Sequence, residues 1–222
     1  MRLLVTRPAP DNERTAAALR RLGHDVVLAP LLRIEAVAAD LGAPPWSGIL
    51  ITSANGVRAL THHPRRGELL ALPVLAVGAS SAEAACAAGF ADVHSADGDA
   101  VDLARAAAQR FAGARHPLLY LAGEDRSGEL AVAGLTVRTV VIYRAATAQT
   151  LPSTLDRVEG VLHFSRRSVE TYLACGSEVS GLTHYCLSAR AAEPLTAAGA
   201  TRVVIAARPD EASLLALVTP KP

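Results

Sequence analysis

Short apolar runs alternate along the chain with longer stretches rich in Ala, Leu, Arg and Glu, in which apolar residues recur at helical spacing. Within each run the apolar residues follow one another without polar alternation, so the runs predict strands that are buried on both faces. Such strands, separated by helices, are typical of parallel sheets covered on both sides. The predicted strands are Leu3–Thr6, Val26–Ala29, Ile49–Thr52, Val74–Val77, Ala91–His94, Leu118–Leu121, Val137–Ile142, Val161–Phe164, His184–Leu187 and Arg202–Ala206.

Helical periodicity fills most of the intervals between these strands. Two intervals, near Leu31–Leu41 and Tyr143–Leu155, carry no helical pattern, and we expect them to connect two lobes. The predicted helices are Asn12–Leu22, Ala54–Leu60, Ser81–Ala88, Asp99–Phe111, Ser127–Ala133, Arg166–Ala174, Ala189–Ala198 and Glu211–Leu217.

The pattern occurs twice. GILITSANGVRAL and GVLHFSRRSVETYL start at residues 48 and 160, 112 residues apart. LPVLAVGASSAEAACAAGFADV and LTHYCLSARAAEPLTAAGATRV start at residues 72 and 182, 110 residues apart. Their shared register, including AAG before the last strand, favours a diverged tandem repeat over the general likeness of all α/β units. We therefore predict two similar lobes, with a ligand cleft between them.

Small hydroxylated residues recur where a predicted strand meets a predicted helix. The carboxyl ends of parallel strands gather ligands, and the unpaired N–H groups of the following helix attract anions. Several such corners, with arginines beside them, would suit a polyanion, whereas any one Ser or Thr taken alone is better explained as a simple helix cap. The corners are Thr52–Asn55, Gly78–Ser81, Ser165–Ser168 and Ser188–Arg190, and the arginines are Arg7, Arg126, Arg144, Arg166, Arg167, Arg190 and Arg208.

Composition excludes several classes of protein. The net charge is +1 and aromatic residues make up 4% of the chain, which argues against a nucleic-acid binder or a polybasic membrane binder. The three cysteines form no CxxC pair. The first apolar run is too short for a signal peptide, and no window reaches the roughly 18 apolar residues of a membrane span. We expect a cytoplasmic monomer that binds a small molecule, with no nucleic-acid or membrane partner.

Familiar cofactor motifs are missing from the sequence. The segment GEDRSG at 123–128 is not a phosphate-binding loop, and AVGASSAEAACAAG lacks the dinucleotide-binding fingerprint. The histidines show no metal-ligand spacing, and His163, inside a predicted strand, is expected to be a core residue. We therefore expect no cofactor and no metal.

A set of short motifs follows in order over nearly the whole chain: VTRP, ILITSANGVRAL, LAVGASSAEAACAAGF, VVIYRA, VLHFSRRSVETY and ATRVVIAARPDEASLLAL. Together they resemble the uroporphyrinogen-III synthase family. The resemblance implies two α/β lobes, each a roughly five-stranded parallel sheet flanked by helices, joined by a two-stranded β-ladder with the active cleft between lobes. Residues 1–35 and 148–222 would form one lobe, residues 40–142 the inserted lobe, and residues 36–39 and 143–147 the linkers.

The resemblance also implies a reaction. The family closes hydroxymethylbilane, a linear tetrapyrrole, to uroporphyrinogen III; the terminal hydroxyl leaves as water and ring D is inverted. Every pyrrole of this substrate carries acetate and propionate arms, which suits a cleft lined by helix N-termini. The resemblance thus selects one polyanion among those that the corners alone leave open.

Site residues follow by position. Tyr143 in VVIYRA matches a tyrosine of the family, and a phenol, protonated at neutral pH, can act as general acid on the departing hydroxyl. Alternatively, Tyr143 simply ends a strand and packs at the hinge. Thr52, Ser53, Ser81 and Ser165 match further family positions. With the corner argument, the predicted substrate-binding residues are Arg7, Thr52, Ser53, Ala54, Ser80, Ser81, Arg144, Ser165, Arg166, Arg167, Ser188 and Arg190.

One corner departs from the family pattern. In CLSAR, Ser188 stands where the family has glycine, and Arg190 stands where a hydroxyl residue is common. Arg190 offers a bidentate partner for a carboxylate. Two other functions remain open from the residues alone: a non-catalytic two-lobe binding protein or sensor for a small polyanion, and a two-lobe transferase acting on a phosphorylated sugar.

Overall fold

The computed structural model describes residues 1–126, 128–151, 157–177 and 179–219. The strands are β1 (Arg2–Val5), β2 (Asp25–Leu28), β3 (Leu32–Ala36), β4 (Gly48–Ile51), β5 (Val74–Ala76), β6 (Val93–Ser95), β7 (Leu118–Gly123), β8 (Val137–Thr147), β9 (Gly160–His163), β10 (Thr183–Cys186) and β11 (Val203–Ile205). The helices are α1 (Asp11–Arg21), α2 (Ala54–Leu60), α3 (Ala79–Ala87), α4 (Ala100–Arg110), α5 (Arg166–Ala174), α6 (Ala189–Ala197) and α7 (Glu211–Ala216), with a short 3-10 helix at Arg66–Glu68.

The chain forms two compact units. Unit 1 comprises Met1–Arg33 and Ala146–Pro222, and unit 2 comprises Ile34–Ala145. The chain passes from one unit to the other within β3 and again within β8, which are neighbours in one sheet. The predicted α/β fold, with two sheets flanked by helices, is confirmed.

Unit 1 contains a five-stranded sheet in the order β11-β10-β9-β1-β2, and all four neighbouring pairs are parallel. The apolar run of β1 explains its central place, because adjacent residues of a strand point to opposite faces. Leu3 and Val5 belong to the core on one face, whereas Leu4 packs with Val161 and Tyr172 on the other. The sheet is therefore covered on both sides, as a run without polar alternation predicts.

Two histidines lie inside this core on adjacent strands. His163 and His184 are fully buried, and Nε2 of His163 lies 3.1 Å from Nδ1 of His184. The ring of Tyr172 packs edge-on against both. Burial, and to a lesser degree the neighbouring His184, lowers the pKa of His163 to about 3, so His163 is neutral in the folded protein at neutral pH. His163 is thus the core residue that the sequence predicts.

Unit 2 contains a six-stranded sheet in the order β3-β8-β7-β4-β5-β6, in which β7–β8, β4–β7, β4–β5 and β5–β6 are parallel pairs. Ile49, Ile51 and Leu121 belong to the core on one face. Leu50 and Tyr120 belong to the core on the other.

The two sheets share one register. Ile49 pairs with Val74 in unit 2, and Val161 pairs with His184 in unit 1, which are the same positions after shifts of 112 and 110 residues. Gly48 pairs with Leu118, and Gly160 pairs with Leu3. Each glycine is the first residue of its strand and lies against an aromatic ring. A Cβ on Gly48 would meet the ring of Phe111, and a Cβ on Gly160 would lie 2.7 Å from Cε2 of Tyr185. The repeated glycine therefore makes room for a ring in each sheet.

One local expectation differs from the structure. The helix predicted at Ser127–Ala133 is wrong: residues 128–133 are irregular, and Ser127 lies outside the described residues. Gly128 has a φ of 152° and Gly134 a φ of 73°, both outside the helical region. Residues 143–147, predicted as one of the linkers of a two-stranded β-ladder, form the last part of β8, which ends at Thr147. In the described parts of the chain, no helix has the length and apolar character needed to cross a membrane.

Candidate functional site

The corner between β4 and α2 is built from Thr52 and Ser53. Ser53 has an extended backbone, and its Oγ accepts a hydrogen bond from the backbone N–H of Asn55 at 3.2 Å, so it caps α2. Gly56, one turn into the helix, brings α2 close to β7, because a Cβ there would lie 2.9 Å from the carbonyl oxygen of Leu121. The corner is therefore held against the carboxyl end of β7.

Tyr120 contacts this corner from β7. Its phenol oxygen lies 2.9 Å from Oγ1 of Thr52, and its side chain is 5% exposed. Leu50 of β4 is the strand partner of Tyr120, so the phenol reaches past the end of β4 to the threonine. A buried hydroxyl is costly without a hydrogen-bond partner, and Thr52 supplies that partner.

Tyr143 lies beside the same corner in β8. Gly123 of β7 is its strand partner, next to a register shift after Ala122. A Cβ on Gly123 would lie 2.6 Å from Cζ of Tyr143, so glycine is what allows the ring to pack there. The Tyr143 side chain also hydrogen-bonds with Ser53.

The Tyr143 phenol is held in its protonated form. Burial raises its pKa, the hydrogen bond with Ser53 works in the opposite direction, and the nearby Tyr120 raises it again, so that the net shift is upward from 10.0. A proton is therefore present on this oxygen at neutral pH.

These side chains line one cavity of about 420 Å³ in unit 2. That volume falls within the range of about 300–1,000 Å³ found for ligand pockets. Thr52, Ser53, Tyr120 and Tyr143 line it together with Arg126. Nη2 of Arg126 donates to Oε1 of Glu129 at 2.7 Å, and Thr139 donates to the other oxygen of Glu129 at 3.0 Å. The cavity combines the hydroxyl groups with one arginine and with the carboxylates of Asp125 and Glu129.

A second corner of unit 2 is open. In the described residues, no side chain caps α3, whose preceding residue is Gly78 in extended backbone. Ser80 in its first turn is exposed and Ser81 is buried. The first N–H groups of a helix carry partial positive charge and have no partner within the helix.

The two corners of unit 1 are capped by serine. Oγ of Ser165 accepts a hydrogen bond from the backbone N–H of Ser168 at 3.1 Å, and it lies 2.5 Å from Oγ of Ser168. Oγ of Ser188 accepts the N–H of Ala191 at 3.3 Å. Both serines therefore act as helix caps in this structure.

Most of the predicted arginines contact carboxylates of the protein. Arg7 lies over the ring of Phe164 and pairs with Asp11 at 3.5 Å and Glu211 at 3.1 Å. Arg144 pairs with Glu35 at 2.9 Å. Such pairs compete with a carboxylate ligand for the guanidinium.

The arginines at the unit 1 corners differ among themselves. Arg166 joins Glu170 at 2.8 Å and Glu193 at 2.6 Å. Arg167 is half-buried, and its carbonyl accepts from Thr171. Arg190 is exposed and makes no hydrogen bond or ion pair within the parts of the chain that the structure describes. Arg190 is thus the predicted arginine best placed to receive a carboxylate.

The structure brings together three of the predicted residues in the unit 2 cavity: Thr52, Ser53 and Tyr143. Ala54 is the buried first residue of the adjoining helix. Sequence reasoning missed Tyr120 and Gly123. A tyrosine inside the otherwise apolar run LLYLAG was the available signal, because a phenol in a buried strand needs a partner.

A larger cavity, of about 640 Å³, lies in unit 1. Leu4, Leu151, Val158 and Leu182 line it, and it contains none of the predicted site residues. Val158 and Leu182 lie just before β9 and β10, at the amino ends of the strands, opposite to where ligands of parallel sheets gather. Across the described residues, no group of three or more His, Cys, Asp or Glu side chains is arranged to hold a metal ion.

Comparison with known proteins gives a consistent result. A family model described as "Uroporphyrinogen-III synthase HemD" matches residues 13–216. The structure of a uroporphyrinogen-III synthetase from Helicobacter pylori is similar with a TM-score of 0.67 at 16% identity, covering 98% of each chain. A mutant uroporphyrinogen III synthase from Thermus thermophilus is similar with a TM-score of 0.55 at 19% identity, covering 98% of this chain and 97% of that one. A search of curated proteins found no match.

Proposed function

Because the chain belongs to the uroporphyrinogen-III synthase family, we propose that its unit 2 cavity receives the hydroxymethyl end of hydroxymethylbilane, with Tyr143 as the acid. The chain is a cyclising lyase of tetrapyrrole biosynthesis and acts on a small tetrapyrrole. The observation that carries the proposal is the protonated phenol of Tyr143 in a cavity at the carboxyl ends of β4 and β7.

The acid step needs one proton. Tyr143 donates its phenolic hydrogen to the terminal hydroxyl of the substrate, the carbon–oxygen bond breaks, and water leaves. The pyrrole nitrogen stabilises the resulting carbocation by electron donation. The α-carbon of the far pyrrole, ring D, that already carries the bridge to ring C attacks this carbocation and becomes a spiro centre. The bond from that α-carbon to its bridge then breaks, and the other α-carbon of ring D attacks the released bridge carbocation, so that ring D is inverted. The proton that this ring later loses restores the tyrosine, so that the net reaction releases only water. General acid catalysis of this kind contributes about 10²–10⁴-fold.

Carboxylate arms of the substrate are bound, in this proposal, by the helix N-termini and by the arginines. The open start of α3 offers the N–H groups of Ala79 and Ser80, whereas the N–H of Ser81 donates to the carbonyl of Gly78 at 3.1 Å. Arg190 offers a guanidinium that pairs with no described residue. Arg7, Arg144 and Arg166 bind substrate only by sharing their present carboxylate partners. The serines of unit 1, Ser165 and Ser188, contribute as helix caps.

The remaining parts of the proposal rest on composition. A net charge of +1 and few aromatic residues support a small-molecule ligand without nucleic-acid or polybasic membrane partners. A cytoplasmic location remains a prediction. A monomeric state and a cleft between the predicted lobes also remain predictions.

The test is isomer analysis. Purified protein is mixed with freshly generated hydroxymethylbilane, and the oxidised products are separated into isomers I and III. We expect mainly isomer III from the wild type. We expect Tyr143→Phe to retain isomer III at a rate lower by about 10²-fold, because positioning by the rest of the site persists.

Tyr185→Phe is the matched control. Tyr185 is also a buried strand tyrosine with a threonine partner, Thr183, but it lies in unit 1. We expect its rate to equal that of the wild type. Isomer I alone at the spontaneous rate, from folded wild-type protein, would reject the synthase function and favour a non-catalytic binding protein. An unchanged rate in Tyr143→Phe would reject the acid role.

A further inference from the structure

We propose that Tyr120 is a positioning residue for this reaction: its phenol holds the Thr52–Ser53 corner and, through Ser53, the acid Tyr143. The inference rests on the proposed role of Tyr143. It concerns a residue that neither the corner pattern nor the family motifs single out.

The first step is the contact between Tyr120 and Thr52. The six residues of β7 are all buried, and Tyr120 has the only polar side chain among them. Phenylalanine would fill the same apolar space, so what the hydroxyl adds is the bond of 2.9 Å to Oγ1 of Thr52. This bond ties the central strand β7 to the residue that follows β4. The corner is thereby fixed from the sheet side as well as from the helix side.

The second step leads from the corner to the acid. Thr52 is covalently joined to Ser53, whose Oγ caps α2 through Asn55 and also bonds with the Tyr143 side chain. A rotation of the Thr52–Ser53 peptide would move Ser53 away from both partners. Tyr120 opposes that rotation, because it holds Thr52 at the start of this path. The phenols of Tyr120 and Tyr143 therefore belong to one hydrogen-bonded group in the cavity.

The third step is the comparison with unit 1. In the shared register, Val5 of β1 occupies the position of Tyr120, and Phe164 occupies the position of Thr52. Unit 1 has the same strand order around this corner but no phenol–threonine bond across these two positions. The fold therefore does not need the bond to build the corner. The bond is found in the unit that contains Tyr143.

The fourth step is the expected consequence. Displacement of a reacting group by about 1 Å can cost about 10²-fold in rate. Removal of the Tyr120 hydroxyl loosens the acid without removing it, so we expect Tyr120→Phe to lower kcat by about tenfold. KM should stay within about twofold, since the substrate arms bind elsewhere. Tyr120 also raises the pKa of Tyr143, so the loss of activity at high pH should begin at lower pH in this variant.

The experiment is a double-mutant cycle on isomer III formation with full-length protein. Tyr120→Phe, Tyr143→Phe and the double variant are compared by kcat, KM and the high-pH limb of kcat. Thr52→Val removes the same bond from its other end and serves if Tyr120→Phe folds poorly. Tyr185→Phe is the control. We expect the tenfold effect of Tyr120→Phe to shrink below about twofold once Tyr143 is already phenylalanine.

The outcomes separate this inference from the proposed function. A wild type that forms no isomer III would overturn both. A wild type that forms isomer III, with slow Tyr143→Phe but unaffected Tyr120→Phe and Thr52→Val, would overturn the positioning role alone. An equal loss in both backgrounds would also overturn it, because Tyr120 would then act independently of Tyr143.

Discussion

The carboxyl ends of the strands in unit 1 and unit 2 differ in chemistry although the sheets share a register. In unit 2, β4 ends at Ile51 and is followed by Thr52, whereas in unit 1 β9 ends at His163 and is followed by Phe164. Where unit 2 opens α3 after Gly78, unit 1 caps α6 with Ser188. Backbone pairing is thus common to both, and the side chains at the strand ends decide what each corner can bind.

Unit 1 uses the equivalent space for internal contacts. Arg7 stacks on Phe164 and joins Asp11, Thr15 and Glu211, which ties β1 and α1 to the start of α7. Unit 2 instead leaves a cavity whose lining combines hydroxyls with the charged side chains of Asp125, Arg126 and Glu129. In a duplicated fold, one corner can thus hold elements together through internal ion pairs while its counterpart keeps a cavity.

The largest expected effect comes from closing the space beside Tyr143. Gly123→Ala places a methyl group 2.6 Å from Cζ of the ring, so the ring must move. We expect kcat for isomer III to fall by about 10²-fold, because the acid leaves its position. Steady-state kinetics, with circular dichroism to confirm folding, measures this.

Gly67→Ala is the matched control for that change, since a Cβ there meets nothing within 4 Å. Its kcat should equal that of the wild type. If Gly123→Ala were as active as Gly67→Ala, the position of the Tyr143 ring would be irrelevant to the rate.

The next expected effect is the pH dependence of stability that His163 causes, at the position that Ile51 occupies in unit 2. The pKa of His163 is lowered from 6.5 to about 3 in the folded state, so below pH 6.5 the unfolded chain binds a proton that the folded chain does not. Stability therefore falls as the pH drops from 6.5 towards 3, by about 2 kcal/mol at pH 5. His163→Ile, which copies the residue of unit 2, should lose most of this dependence.

Urea unfolding at pH 7 and pH 5, followed by circular dichroism, measures the difference. The one tryptophan, Trp46, is buried in unit 2, so its fluorescence should change less with pH than the circular dichroism signal. His62→Gln, at an exposed position, should behave as the wild type. An unchanged pH dependence in His163→Ile would show that the buried pair is not the source.

The smallest expected effects come from Ser53→Ala and Ser165→Ala, which separate the role of a serine as a helix cap from the contact of Ser53 with Tyr143. Ser53→Ala and Ser165→Ala each remove one N-cap at matched corners, and each should cost about 1 kcal/mol of unfolding free energy. Ser53 alone also bonds with Tyr143, so Ser53→Ala should in addition raise the pKa of that phenol, since the hydrogen bond lowers it. Thermal unfolding and an ultraviolet titration of tyrosinate measure the two readouts. Equal titrations in both variants would contradict the Ser53–Tyr143 link.

Much of the fold is predictable from the sequence, because buried parallel strands appear as apolar runs and the repeat doubles each signal. The helix predicted at Ser127–Ala133 fails because apolar spacing cannot report the positive φ of Gly128 and Gly134, nor the contacts of Glu129 with Arg126 and Thr139. Local pattern says nothing of such tertiary bonds.

The site is less predictable for the same reason. The corners at Thr52 and Ser53 follow from strand and helix signals. The contact of Thr52 with Tyr120 requires knowing that β7 lies beside β4, although β5 and β6 come between them in the chain. Arg7 is predicted from the sequence to bind substrate. Its ion pair with Glu211 could not be predicted, because Glu211 lies near the other end of the sequence.

The position of β1 determines when the unit 1 sheet can form in the nascent chain. β1 lies between β2 and β9, so one of its edges stays unpaired until β9 has been synthesised. A chain that has left the ribosome as far as Ala145 holds all of unit 2 but only β1 and β2 of the unit 1 sheet. Domains generally fold as units during synthesis. Unit 2 can therefore complete its sheet first. One edge of β1 stays unpaired until the last third of the chain, which contains β9, has been synthesised.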